Sequence, residues 1–122
     1  MTRVLVVEDE ALVRLAIADD LTAAGFKVLE AANADEAIKF LEDRQDIETI
    51  FTDIDMPGSM DGLKLAAAVR DRWPPVRIVI TSGLRKPPIS EMPPNSLFID
   101  KPYQVSHVLA AFNASGKTTG AQ

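Results

Sequence analysis

Apolar runs of strand length alternate along this chain with stretches of helical periodicity, and that alternation narrows the accessible folds more than any other feature. The strand-length runs are Val4-Leu5-Val6-Val7, Lys27-Val28-Leu29-Glu30, Thr49-Ile50-Phe51-Thr52, Val76 to Thr81 and Leu97-Phe98-Ile99. Between them, apolar residues recur at helical spacing. Glu10 to Ala24 carries Leu12, Leu15, Ile17 and Leu21 and stops at Gly25, a residue suited to a helix C-terminus. Asn33, with Glu36 one turn on, reads as the N-cap of a second helix through Ala37, Ile38, Phe40 and Leu41. Leu63 to Trp73 gives a third, halted by Pro74-Pro75, and Tyr103 to Asn113 a last one through Val105, Val108, Leu109 and Phe112. The pattern predicts a parallel sheet with crossover helices. From Arg85 to Ser96 the rhythm breaks, because Pro87, Pro88, Pro93 and Pro94 leave room only for a loop or one short turn.

At 122 residues the chain suits one domain, large enough to bury roughly two thirds of its unfolded surface. It contains no cysteine, which removes disulfides and thiolate metal sites and suits a reducing cytoplasm. The N-terminus lacks the apolar core of a signal peptide, and no apolar run reaches membrane-spanning length. A formal charge of -5 and a pI near 4.8 argue against a duplex-DNA partner, which demands a clustered basic face. Ala114 to Gln122 is small and polar, so residues 1–113 are expected to form the domain and 114–122 a tail.

In a doubly wound sheet, ligands bind at the carboxyl ends of the strands. Those ends carry Glu8-Asp9, Asp53-Ile54-Asp55, Thr81-Ser82-Gly83 and Asp100-Lys101-Pro102. Nucleotide and flavin sites of this layout place Gly, Ser or Thr after the first strand to greet phosphate; here two carboxylates would repel it. With Asp9 and Asp53 about 4 Å apart, their repulsion would be roughly 4 kcal/mol at an effective dielectric near 20. A hard dication with oxygen ligands, Mg²⁺, would relieve that repulsion, and Lys101 supplies a second positive charge. A metal and a lysine around one aspartate would offset the charge of a transferring phosphoryl group, which makes Asp53 the nucleophile. Any one acid after a strand is ordinarily a helix cap or loop end. The co-occurrence at four strand ends is what points to chemistry.

Up to about Asn113 the chain resembles the receiver domain of two-component response regulators, on the segments VLVVEDE, FTDIDMPG followed by DGL, IVITSG and FIDKP. The resemblance implies a flavodoxin-like, doubly wound five-stranded parallel sheet in the order 2-1-3-4-5, here with the fourth helix short or absent. It implies that Asp53 is phosphorylated by a sensor histidine kinase or a histidine phosphotransfer protein. Glu8, Asp9 and Asp53 would hold Mg²⁺, with the backbone carbonyl of Asp55 completing the shell and its side chain influencing the lifetime of the phosphoryl group. Ser82, chosen over Thr81 because Gly83 follows it, would be the switch hydroxyl. Phe98 would be the aromatic that changes rotamer with it, Lys101 the lysine of the site, and Lys101-Pro102 a peptide bond often cis in the family.

The chain departs from the family pattern at Ser59, an extra residue after Asp53, and in the proline-rich stretch. A signalling face built from Phe98, Tyr103 and Lys86 to Pro94 is therefore expected. The function implied is a cytoplasmic phosphoacceptor switch, not a turnover enzyme, that passes its signal to a separate effector protein and engages neither nucleic acid nor membrane. Two other readings compete. Asp53-Ile54-Asp55 also resembles the first motif of haloacid-dehalogenase-type phosphatases, but that motif normally lies on the first strand. A receiver-like interaction module with an idle site is the other, and the joint presence of Asp9, Asp53 and Lys101 speaks against it.

Overall fold

The fold is described by a computed structural model covering residues 3–56, 61–83, 90, 92–93 and 96–116, with side chains as far as residue 112. In chain order the elements are β1 (Arg3–Val7), α1 (Ala11–Ala23), β2 (Lys27–Ala31), α2 (Ala34–Asp43), β3 (Ile47–Asp53), α3 (Gly62–Arg72), β4 (Arg77–Ser82), β5 (Leu97–Asp100) and α4 (Val105–Gly116). All strand pairs are parallel, and the sheet runs β2-β1-β3-β4-β5. This is the doubly wound α/β architecture that the alternation predicts.

The central strands are apolar throughout because both faces of the sheet are covered. Alternate residues point to opposite sides. Leu5, Val7, Ile50, Ile78 and Ile80 join Ala37 and Leu41 of α2 and Leu65 and Val69 of α3 in one core cluster. Val4, Val6, Phe51 and Val79 join Ile17 and Leu21 of α1 and Val108 and Phe112 of α4 in the other.

Local chemistry sets the helix ends. Asn33 Oδ1 accepts from the Glu36 backbone N–H at 2.9 Å, and Glu36 Oε1 accepts from the Ala32 N–H at 2.8 Å, so two free donors at the start of α2 are satisfied reciprocally. Asp61 Oδ1 accepts from Lys64 N–H at 2.9 Å at the start of α3. After α1, Gly25 adopts φ +102°, the backbone region open to glycine.

The structure refines two expectations and corrects the end of the last helix. In α1 the sheet-facing residues are Ile17, Ala18 and Leu21, while Leu12 is 83% and Leu15 47% exposed. At 100° per residue Leu12 falls roughly opposite the buried stripe. The last helix continues to Gly116, past its expected end at Asn113. Phe98 packs with the first core cluster and Tyr103 with the second, and most of Lys86 to Pro94, the rest of the expected signalling face, lies outside the described residues. Between β4 and β5 no α-helix occurs among the described residues, where the Ser96 N–H and hydroxyl both donate to the Pro93 carbonyl. Most of the proline-rich stretch, and Ser59, lie outside the described residues.

One glycine joins the fold to the strand end that matters. Gly62 opens α3, is buried, and donates its N–H to the Ile54 carbonyl at 3.0 Å. A Cβ there would overlap the carbonyl oxygen of Asp53, so the helix approaches β3 this closely only without a side chain. Gly62→Ala is expected to destabilise the fold by about 1–3 kcal/mol, as overpacking does. Urea unfolding measures the change, and an unaltered midpoint would refute the close approach.

Candidate functional site

Each chemically active side chain sits at, or just beyond, the carboxyl end of a strand. Glu8 follows β1, donates its backbone N–H to Ala31 at 3.1 Å, and is 3% exposed. Asp9, half-buried, comes next. Asp53 is the last residue of β3 and is 4% exposed. Each of these three offers a carboxylate oxygen, all within 4.8 Å of one another.

Lys101, just after β5, is the cation in their midst. Its Nζ donates to Glu8 Oε1 and to Asp53 Oδ2, both at 3.0 Å. The other Asp53 oxygen, Oδ1, accepts from the Asp55 N–H at 3.1 Å. Ser82, at the end of β4, donates its hydroxyl to Asp55 Oδ2 at 2.6 Å, and its carbonyl accepts from Lys101 N–H at 3.1 Å. Thr81 sends its hydroxyl to the Ile99 carbonyl at 2.7 Å, so Ser82 is the β4 hydroxyl beside the carboxylates. A Cβ on Gly83 would lie 3.2 Å from Lys101 Cβ, and a larger residue would press on the lysine. The Lys101-Pro102 peptide bond is cis.

The structure thus brings Glu8, Asp9, Asp53, Asp55, Ser82 and Lys101 together. Phe98 lies apart from this hydrogen-bonded set; it pairs in register with Ile80 and packs with the cluster under α2 and α3. Sequence reasoning missed Arg14. Its Nη1 donates to the Glu8 carbonyl at 2.9 Å and its Nε to Glu30 Oε1 at 3.2 Å, pinning the turn that carries the acid pair to β2. An arginine in the first turn of a helix that follows three acids, Glu8-Asp9-Glu10, was the available signal.

Electrostatics follow from the crowding. Burial raises the Glu8 carboxyl above the ordinary carboxylate value; the Glu10 N–H and the Lys101 ammonium work against that, and the Asp53 charge adds to it. For Lys101, burial alone would lower the pKa, but the bonds to Glu8 and Asp53 override it and hold the ammonium charged well above the usual lysine range. Tyr103 stacks edge-on to Phe51 with ring centroids 5.4 Å apart, and burial followed by the Glu8 charge pushes its phenol up to about 12. Carboxylates at this spacing repel by about 3 kcal/mol per pair at an effective dielectric of 20. Three carboxylates against one ammonium leave two negative charges over. An all-oxygen donor set with that charge fits a hard divalent cation such as Mg²⁺.

Known proteins resemble the chain over nearly its whole length. The profile of the response regulator receiver domain matches residues 4–113. The chemotaxis protein CheY of Thermotoga maritima is 36% identical over 120 residues, which cover 94% of this chain and 98% of that protein. A protein-glutamate methylesterase/protein-glutamine glutaminase of Archaeoglobus fulgidus is 44% identical over 86 residues, 69% of this chain but only 24% of that longer protein. Among solved structures, a response regulator receiver protein from Sinorhizobium medicae superposes with a TM-score of 0.84 at 28% identity, covering 93% of each chain.

The raised Glu8 value has a pH consequence. Between the unfolded and folded pKa values the folded chain binds more protons than the unfolded one, so metal-free stability falls as pH rises through that window. Metal-free Glu8→Gln is therefore expected to melt above the wild type at neutral pH, with the gap closing below the ordinary carboxylate range. Added Mg²⁺ should stabilise the wild type more than the variant. Melting curves with and without Mg²⁺ across pH check both, and a variant that melts lower than the wild type throughout would contradict the burial argument.

Proposed function

Because the chain belongs to the response regulator receiver domain family, we propose that it is a phosphoacceptor switch of a two-component phosphorelay, with Asp53 taking a phosphoryl group from a phosphohistidine donor. The observation that carries this reading is the buried Asp53 carboxylate, held by Lys101 Nζ at 3.0 Å within a cluster of three acids. No role as a cap or solvated loop end accounts for that placement. The donor is a sensor histidine kinase or a histidine phosphotransfer protein.

In the transfer, one oxygen of the Asp53 carboxylate attacks phosphorus. The new P–O bond forms as the P–N bond to the imidazole breaks, and the departing nitrogen keeps the electron pair and takes a proton. Asp53 is left as an acyl phosphate. Lys101, already bound to Asp53 Oδ2, stays within reach of the new phosphoryl oxygens and offsets part of their charge. Mg²⁺ held by Glu8, Asp9 and Asp53, with the Asp55 backbone carbonyl, would supply the remaining charge neutralisation. Ser82 lies at the same strand end with a hydroxyl proton to give.

The modification adds up to about two negative charges and three acceptor oxygens at one strand end. Ser82 and Phe98 carry the response outward in this reading. The signal then passes to a separate effector protein in the cytoplasm, and the chain acts as a switch without turnover of an external substrate. Exposure to acetyl phosphate with Mg²⁺ is expected to add one phosphoryl group by mass, abolished in Asp53→Asn and by chelation of the metal. Uptake that persists in Asp53→Asn, or rapid multiple turnover of a generic phosphatase substrate, would defeat the proposal.

A further inference from the structure

The hydroxyl of Ser82 is already committed before any phosphoryl group arrives. It donates to Asp55 Oδ2 at 2.6 Å, the length of a charge-assisted O–H···O⁻ bond. Asp55 also donates its backbone N–H to Asp53 Oδ1 at 3.1 Å, so one residue reaches both the acceptor carboxylate and the switch hydroxyl. Asp53 and Ser82 are both buried, at 4% and 2% exposure.

A serine hydroxyl has a single proton, whereas a carboxylate and a phosphoryl oxygen only accept. Ser82 cannot give that proton to both. Its backbone is fixed, because Ser82 pairs in register with Asp100 and its carbonyl accepts from Lys101 N–H at 3.1 Å. A change of partner must then come from rotation of the side chain.

We propose that Asp55 is a latch: its carboxylate competes with the phosphoryl group for the Ser82 proton, holds the switch residue in the unphosphorylated arrangement, and sets how readily the site converts. The latch rests on the reading of Asp53 as the phosphoacceptor. Asp55 is a positioning residue in this scheme and takes no part in the bond exchange at phosphorus. Each conversion exchanges one charge-assisted hydrogen bond for another, so the bond that is lost weakens binding of the phosphoryl group.

Calorimetric titration with beryllium fluoride at saturating Mg²⁺, as a non-covalent stand-in for the phosphoryl group, tests the latch through a double-mutant cycle on Asp55→Ala and Ser82→Ala. With Ser82 present, Asp55→Ala is expected to tighten binding roughly tenfold, the scale of a hydrogen bond to a charged group. In the Ser82→Ala background the same change should alter affinity less than about twofold, since coupled residues alone depart from additivity. Equal tightening in both backgrounds would mean that only a charge had been removed, and weakening would mean that Asp55 supports the bound state; either overturns the latch. If Asp55→Ala does not fold, Asp55→Asn, which keeps the shape and loses the charge, runs the same cycle with a smaller gain.

A second readout needs no phosphoryl group. The Ser82 side chain should occupy one rotamer by NMR coupling constants in the wild type and average among rotamers in the Asp55 variants; one fixed rotamer in both overturns the latch. If the rotamers differ in this way between wild type and variants, yet the wild type binds no beryllium fluoride and gains no mass from acetyl phosphate, the phosphoacceptor reading is removed instead.

Discussion

Glu8 and Asp53 share one ammonium at the carboxyl edge of this sheet, with the Asp9 carboxylate beside them, and the rest of the structure serves to hold them there. Lys101 lies 93 residues from Glu8 and 48 from Asp53 in the chain, yet it bonds both. Only a parallel arrangement makes that possible. When every strand runs the same way, the residues that follow β1, β3 and β5 collect on one edge. An antiparallel partner would carry its acids to the far side. The cluster is costly to bury, as the raised Glu8 shows, and the lysine offsets only part of the repulsion. That residual negative charge, on an all-oxygen donor set, suits a divalent cation.

The groups around the cluster restrict its movement. Arg14 ties the Glu8 carbonyl to Glu30 on β2, so the turn bearing the acid pair is held from the side opposite Lys101. Gly62 lets α3 begin directly against the carbonyl of Asp53. Thr81 gives its hydroxyl to Ile99, which binds β4 to β5 beside Ser82. None of these residues is itself an acid of the cluster. Each fixes the backbone from which an acid, or the lysine, projects, which is what a site held to sub-ångström tolerance requires.

The parallel sheet and the acids at its strand ends were legible in the sequence because they depend on residue type and position along the chain, whereas the strand order came only with the family resemblance. Val4 to Val7 has the apolar run of a strand covered on both faces, and acids at its end fall where ligands bind in a doubly wound sheet. What stayed hidden depends on phase and register. In α1, Leu12, Leu15, Ile17 and Leu21 are all helically spaced, but spacing alone does not say which side meets the sheet; Ile17 and Leu21 do, with the small Ala18 between them, and Leu12 faces away. The Ser82 to Asp55 bond needs β3 and β4 aligned with Asp53 opposite Thr81, a register that neither strand encodes by itself. Arg14 and Gly62 escaped for a similar reason, since each acts on backbone that another segment supplies.

The same pinning determines how a charge added at Asp53 could be felt elsewhere. The sheet cannot give way there: Ile54 N–H donates to the Thr81 carbonyl at 2.9 Å and Lys101 N–H to the Ser82 carbonyl at 3.1 Å, so β3, β4 and the start of the segment after β5 are locked together. A new charge must then be accommodated by side chains at the strand ends, chiefly Lys101, Ser82 and Asp55. Such side chains exchange partners in discrete steps, which gives two arrangements in place of a graded deformation. The shift between them can be no larger than the difference in how each arrangement holds the added group. On the proposed reading, a sheet pinned in this way with a few exchangeable hydrogen bonds at its edge would act as a two-position device, its bias set by the bonds that exist before the charge arrives.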